Sequence, residues 1–425
     1  MGNSILDIGV SGLLAAQNQL QITSHNISNI DTPGFNRQRV IQSTNTPQTI
    51  AAGYVGRGVH SASVQRIYSQ FLVSQSLQVQ TQSQSLDTNY AQIKQLDNMF
   101  AEATSGLSPA LQNFFSAIQD VATNPSVVSS RQAMLSNAEA LVSRFQSMDE
   151  RMSQMREGVN TQITSSVVEI NSFANEIAQI NQQIILAEGV SGGEPPNDLL
   201  DQRDDLINQL SKLINTDTVK QSDGSVNVYV GNGHAIVVGS QKLSLETIVS
   251  PDNPDNLTLG LVSANQTIQL PEDQITGGAL GGILAFRRDS LDGAQNALGR
   301  VAMTLAQTFN EQHQLGVDLN GDMGKELFTV SSPKIISAST NNAASNITAS
   351  ISDFGALTTS DYQFSYDGTN YTLTNLSDNS SVSTAVIPSG ATPLTLDGLS
   401  VTGAAILPNE RFLIQPTVNG AKGIA

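Results

Sequence analysis

From Val127 to Glu188 the apolar residues Leu135, Leu141, Phe145, Met148, Met152, Met155, Val159, Ile163, Val167, Ile170, Ile177 and Ile184 recur mostly at steps of three, four and seven. That spacing is the seam of a helix read at about 3.5 residues per turn. At 1.5 Å per residue such a helix is a rod of roughly 90 Å. No globular domain of ordinary size covers a rod of that length, so the segment is expected to be a coiled-coil strand with long helical partners.

Two other segments carry matching seams. A helix over about 64–100 places Leu72, Val79, Leu86, Ile93 and Phe100 seven apart. A later helix repeats Leu284, Leu291, Leu298 and Leu305 at the same interval. These rod seams are expected to pair with each other and with 127–188. Shorter helices are expected over 109–122 and 198–214. The first helix, 4–28, carries Leu6, Leu13, Leu20 and Ile27, with Val10 as the one large apolar residue on the neighbouring seam position. A stripe this narrow suits packing between helices better than a globular core. Pro33-Gly34 then fits the centre of a type II turn, which needs positive φ at its second position. An extended segment follows to residue 62.

After Thr216 the apolar period changes from helical to two. Val226, Val228 and Val230 alternate with polar residues after the turn signal Asp223-Gly224. From Phe328 the chain reads as β again, with a hairpin of Phe364, Tyr366, Tyr371 and Leu373 around Asp367-Gly368. The expected fold is mainly α with inserted β: a long coiled-coil-like helical bundle plus two small all-β domains. The segments are 1–62, an amino-terminal helix and extended loop; 63–215, a helical rod completed by 277–327; 216–276, an inserted β domain; and 328–425, a second β domain.

Twenty basic against 37 acidic residues leave a formal charge of −17, which disfavours nucleic acid and anionic membrane as partners. Cys is absent, which removes disulfides, thiolate metal sites and cysteine nucleophiles. His25, His60, His234 and His313 are too scattered to form a local ligand pair. No apolar run is long enough to span a bilayer, and the first residues lack the basic and apolar blocks of a secretory signal. Asp318, Asn320 and Asp322 resemble the opening of a calcium loop. Met323 and Thr329 stand where that loop needs Gly and Glu, so an Asx-rich turn is the better reading. Asp198, Asp201, Asp204 and Asp205 could be proposed as acid/base carboxylates. Their place at a helix start, beside Arg203, reads as structural. Arg287-Arg288 is expected to face solvent or an acidic neighbour. No catalytic constellation, metal site or cofactor is expected, and the protein reads as non-enzymatic.

Three stretches resemble one family. SGLLAAQNQLQITSHNISNIDTPGFNRQ, residues 11–38, is similar to the amino-terminal motif of flagellar rod, hook and junction proteins. Its turn is Thr32, Pro33, Gly34 and Phe35, and Arg37 and Gln38 lean toward the junction type. PNDLLDQRDDLINQLSKLI, 196–214, and LGGILAFRRDSLDGAQNALGRVAMTLAQTFNEQHQLGVDLNG, 280–321, resemble the bacterial flagellar hook–filament junction family, hook-associated protein 1. The resemblance implies terminal helices in an axial core, a helical middle and outer β domains. It makes Leu6, Val10, Leu13, Leu20 and Ile27 the axial assembly face. It implies export through the flagellar type III apparatus and a place in the extracellular bacterial flagellum. The implied partners are the hook protein, a second junction protein on the filament side, and an export chaperone. The family closes with a long carboxyl-terminal helix that pairs with the first one and carries the chaperone contact; this sequence is expected to lack it. Two other classes compete: a soluble coiled-coil scaffold or signalling protein, and an exported carbohydrate-binding protein built on the β modules.

Overall fold

The computed structural model describes the chain except residues 1, 52, 102–105, 232, 264–265, 319 and 405. Eight α-helices are described: α1 (Gly2–Ser28), α2 (Gln70–Phe100), α3 (Leu107–Thr123), α4 (Val128–Ser191), α5 (Asn197–Leu213), α6 (Gly278–Phe286), α7 (Asp292–Gln314) and the single turn α8 (Gly420–Gly423). The rod predicted over 127–188 is α4, one unbroken helix of 64 residues. The predicted helix start at 64 is wrong, because residues up to Arg66 belong to a strand and α2 begins at Gln70. A π-helical turn, Arg287–Leu291, joins α6 to α7.

The chain divides into two compact units, and both α2 and α4 contribute residues to each. The first comprises residues 1–87, 165–246 and 259–282. It opens with α1, then a hairpin of β1 (Gln38–Thr44) and β4 (Val59–Arg66), with the short pair β2 (Gln48–Ile50) and β3 (Gly53–Val55) at its end. Next come β5 (Thr216–Lys220), β6 (Val226–Val230), β7 (His234–Val238) and β8 (Gln241–Lys242), paired in that order in one antiparallel sheet. The strands β9 (Ser244–Val249), β10 (Leu257–Ser263) and β11 (Gln266–Leu270) follow, with β10 and β11 forming a hairpin; the parts of β9 and β10 within 247–258 belong to the second unit. The period-two reading holds in β6, where Val226, Val228 and Val230 are buried and the residues between them are not. The core of this unit draws on Val167, Ile170, Ile177 and Ile184 of α4, Leu200, Ile207 and Leu210 of α5, and the inward residues of β6 and β7.

Polar residues on the buried side of α4 tie strands to the helix. Asn181 is fully buried; its amide donates to the carbonyls of Val226 (2.8 Å) and Gly239 (2.7 Å) and its carbonyl oxygen accepts from the Val226 amide at 3.2 Å. Asn171 makes the same two-way clamp on the backbone of Leu245. Asn181→Ala strands these backbone groups without partners, which is worth about 1–3 kcal/mol. We expect a clearly lowered urea midpoint by far-UV circular dichroism. A change no larger than that from replacing an exposed Asn would contradict the role given to the clamp.

The second unit comprises residues 88–164, 247–258 and 283–425. Leu141, Phe145, Met148 and Met152 of α4 and Leu298, Ala302 and Met303 of α7 are buried in it. Phe114, Phe309 and Phe328 form a triangle of rings with centroids 5.5–5.7 Å apart. Its β part holds β12 (Lys334–Ser337), β13 (Asn346–Ile351), β14 (Tyr362–Tyr366), β15 (Tyr371–Asn375), β16 (Ser381–Thr384), β17 (Leu394–Leu396), β18 (Leu399–Ala404) and β19 (Arg411–Gln415). Two antiparallel sheets result, ordered β12-β19-β14-β15-β16 and β13-β18-β17, and both feed one core that includes Phe364, Leu373, Val401 and Phe412. The predicted hairpin is β14–β15: Tyr366 pairs with Tyr371 and their rings stack at 4.1 Å.

Arg287 corrects its expected exposure. It is buried, donating to the carbonyl of Leu257 at 2.8 Å, whereas Arg288 is exposed and bridges Asp289. The Asp318 loop is the predicted Asx turn: one carboxylate oxygen accepts the amides of Asn320 and Asp322. Among the described residues no group of three or more His, Asp or Glu is arranged to hold a metal. No described helix is long and apolar enough to cross a membrane.

Candidate assembly surface

At 3.6 residues per turn, α1 has two distinct faces. Ser11, Ala15, Asn18, Ile22 and Asn26, stepping by three and four, form the inner one. Ala15 is buried there; the Ser11 hydroxyl oxygen accepts the Val59 amide at 3.2 Å, and Asn18 donates to the Ser61 hydroxyl at 3.0 Å. Asn26 and the backbone of Gln38 exchange two hydrogen bonds, at 2.8 and 2.9 Å. The hairpin is therefore held mostly by small and polar side chains, with Ile22 the one large apolar residue named on that face, and the aliphatic stripe points elsewhere. Leu6, Leu13, Leu20 and Ile27 are 68–70% exposed and Val10 is 53% exposed. An aliphatic stripe is thus left open along one side of this helix.

The turn after α1 has the predicted geometry. The Phe35 amide donates to the Thr32 carbonyl at 3.2 Å across Pro33-Gly34, and Gly34 has φ of +77°. Gly34 is required twice, since a Cβ there would also lie 2.6 Å from Cβ of Asp205. The turn thus lies against the start of α5. Asn36 donates its backbone amide (2.9 Å) and its side-chain amide (2.8 Å) to the two oxygens of Asp201. The buried Gln38 donates to Asp198 at 2.7 Å. Arg66 reaches Asp201 at 2.6 Å and Asp204 at 2.9 Å and lies over the Tyr68 ring. His25 meets Asp198 at 3.2 Å and the edge of Phe35. Arg37 is exposed beside α1, where Arg37 and Arg39 join Ile27, Ile30 and Phe35 along a groove.

The acidic cluster of α5 therefore has a partner that local reading missed. Arg203 does not pair with it as expected: it is buried, donating to the carbonyls of Gly224 (2.8 Å) and Asn181 (3.3 Å). Arg66, 135 residues before Asp201, takes that place. Burial works against the Arg66 charge, but the hydrogen bond to Asp201 and the charge of Asp204 hold its pKa above the ordinary value. Burial raises the Asp204 carboxyl, with Arg66 pulling the other way.

The rod seams divide. Leu284, Leu291 and Leu298 are buried and Leu305 is partly so. Leu72, Val79 and Leu86 of α2 are more than 60% exposed, and Ile93 and Phe100 are also on the surface. The expectation that this second seam packs against α4 is thereby corrected. The buried residues of α2 are Thr81, Leu96 and Met99, and Thr81 donates to the Ser211 carbonyl at 2.8 Å.

The helical domain family of flagellar hook-associated protein FlgK matches residues 93–328, and the D2-like domain family of flagellar hook-associated protein 1 matches 336–416. The flagella basal body rod protein family matches 6–36. Flagellar hook-associated protein 1 of Salmonella typhimurium is 37% identical over 98% of this chain and 76% of its own length. The chain belongs to the flagellar hook-associated protein 1 family. The Escherichia coli K12 member is 35% identical over 97% of the chain and 76% of its own length. A solved structure titled as the flagellar hook junction protein FlgK from Burkholderia pseudomallei is similar at a TM-score of 0.75 and 38% identity. That match covers 81% of this chain and 63% of the other, so the chain spans under two thirds of that FlgK. Membership in the hook-associated protein 1 family makes this a structural component of the extracellular flagellum and not an enzyme. The rod-protein match coincides with α1 and its turn, and the D2-like match with the sheets from β12 to β19.

Proposed function

We propose that the chain is a subunit joining the flagellar hook to the filament, exported by the flagellar type III apparatus and assembled by helix packing. The observation that carries this reading is the open stripe of α1, Leu6, Val10, Leu13, Leu20 and Ile27, on a helix whose other face is already occupied. Axial packing in a tube needs such an arrangement: one face fixed to the subunit's own body and one left for neighbours. The Thr32–Phe35 turn with Arg37 and Gln38 sets where that helix leaves the body. The exposed α2 line, Leu72 to Phe100, supplies a second apolar strip for the same purpose. The segment 1–62 then serves the axial core, the helical rod the middle, and the β segments 216–276 and 328–425 the outside. The neighbours in this reading are the hook protein below and a second junction protein above, with an export chaperone before secretion.

Hooks isolated from cells that make no filament provide the test. Antibody to this chain should label the distal hook tip, and a strain with a disabled flagellar export gate should hold the protein in the cytosol. Bare hook tips in an export-competent strain would refute the reading.

A further inference from the structure

The amino-terminal segment and the rest of the first unit are held together by different physics. Among the described residues from 5 to 69, only Ala15 and Gln38 are buried. The remainder of that unit has an aliphatic core from α4, α5, β6 and β7. The segment meets α5 mainly through directional polar contacts. Asp201 is the node: it is buried, and its two oxygens take both Asn36 donors and Arg66. Arg66 also holds Asp204, Gln38 holds Asp198, and Asn197 donates to the Val64 carbonyl at 2.8 Å. Two sequence stretches some 160 residues apart, one around the Pro-Gly turn and one at the acidic start of α5, are thus the two halves of one contact.

We infer that α1 and the β1–β4 hairpin form a separable body hinged on α5, with the Arg66–Asp201–Asn36 node as the latch that sets its angle. Removing one partner from a buried ion pair costs far more than the intact pair contributes, so the node acts nearly as a switch. An apolar interface could not open without exposing a core to water. This joint can, because each side keeps its own internal hydrogen bonds: the β1–β4 ladder and its ties to α1 on one side, the α4–α5–β6 core on the other. The inference rests on the contacts within one chain and does not need the proposed place in the flagellum.

The chain lacks Cys, so introduced pairs label uniquely. Thr44→Cys with Gln202→Cys spans the joint, and Glu169→Cys with Gln202→Cys spans the core as a control; all three positions are exposed. Spin-label distance measurements should give narrow distributions for both pairs in the parent. Arg66→Gln and Asp201→Asn should each make the joint distribution roughly twice as wide or more while the control stays narrow, as for a local opening. Arg66→Lys, which keeps the charge, should fall between. A joint distribution that stays narrow in both Arg66→Gln and Asp201→Asn would overturn the latch. So would a control that broadens with it, because the two bodies would then not be separable.

Discussion

Leu13→Asp and Leu20→Asp should each leave the isolated chain folded and abolish motility. Both side chains are largely exposed, so the chain itself should change by about 0.5 kcal/mol or less. Any packing of α1 against a neighbour buries this stripe, and an unpaired carboxylate in an apolar contact costs several kcal/mol. In a symmetric assembly the same penalty recurs at every subunit contact. The melting profile should match the parent, while cells carrying the variant in place of the parent protein should fail to spread in soft agar. Leu298→Asp makes the contrasting case: that leucine, on an equally regular seven-residue seam, is buried within the chain, and its replacement should unfold the helical region before assembly is reached. Normal spreading by Leu13→Asp cells would remove the stripe from the assembly surface.

The contrast between Leu13 and Leu298 also marks what was legible in the sequence. Seven-residue spacing states which side chains share a helix face; it does not state whether anything covers that face. The length and continuity of α4 could be read because nothing but a helix produces that period over 64 residues. The seam from Leu72 to Phe100 has the same regularity and lies on the surface, because α2 turns Thr81, Leu96 and Met99 inward instead. Polar side chains were harder. Asn171 and Asn181 belong to no motif in the sequence. Their signal was position, since Asn181 falls among the inward residues Ile177 and Ile184 of the seam, where a polar residue needs a partner. The acidic start of α5 is visible as a cluster in the sequence, but its cation is not. Local charge arithmetic favours Arg203, two residues from Asp201. Tertiary packing turns Arg203 toward Gly224 and brings Arg66 in from the hairpin. Pairings of that separation follow from the fold and cannot be had from spacing.

Gly299→Ala should destabilise the second unit strongly, while Gly293→Ala, six residues earlier in α7, should not. At Gly299 the helix meets the chain after β19 at backbone distance. A Cβ there would lie 1.8 Å from the Thr417 carbonyl oxygen, and a Cβ on Gly420 would lie 2.3 Å from the Gly299 oxygen. Neither obstacle is a side chain that can swing aside. Thr417, Ala421 and Ile424 are buried around the crossing, so the displaced segment would drag its own packing with it. A forced backbone shift of this kind costs about 1–3 kcal/mol and occasionally more. At Gly293 a Cβ meets nothing within 4 Å. There the substitution only trades a flexible helix residue for a good helix former, a gain of about 0.5–1 kcal/mol. The two variants change the same atoms in the same helix, so propensity is common to both and only the crossing separates them. Denaturant midpoints should move in opposite directions, down for Gly299→Ala and slightly up for Gly293→Ala. If both moved equally, helix propensity rather than the Gly299–Gly420 crossing would govern how α7 is held.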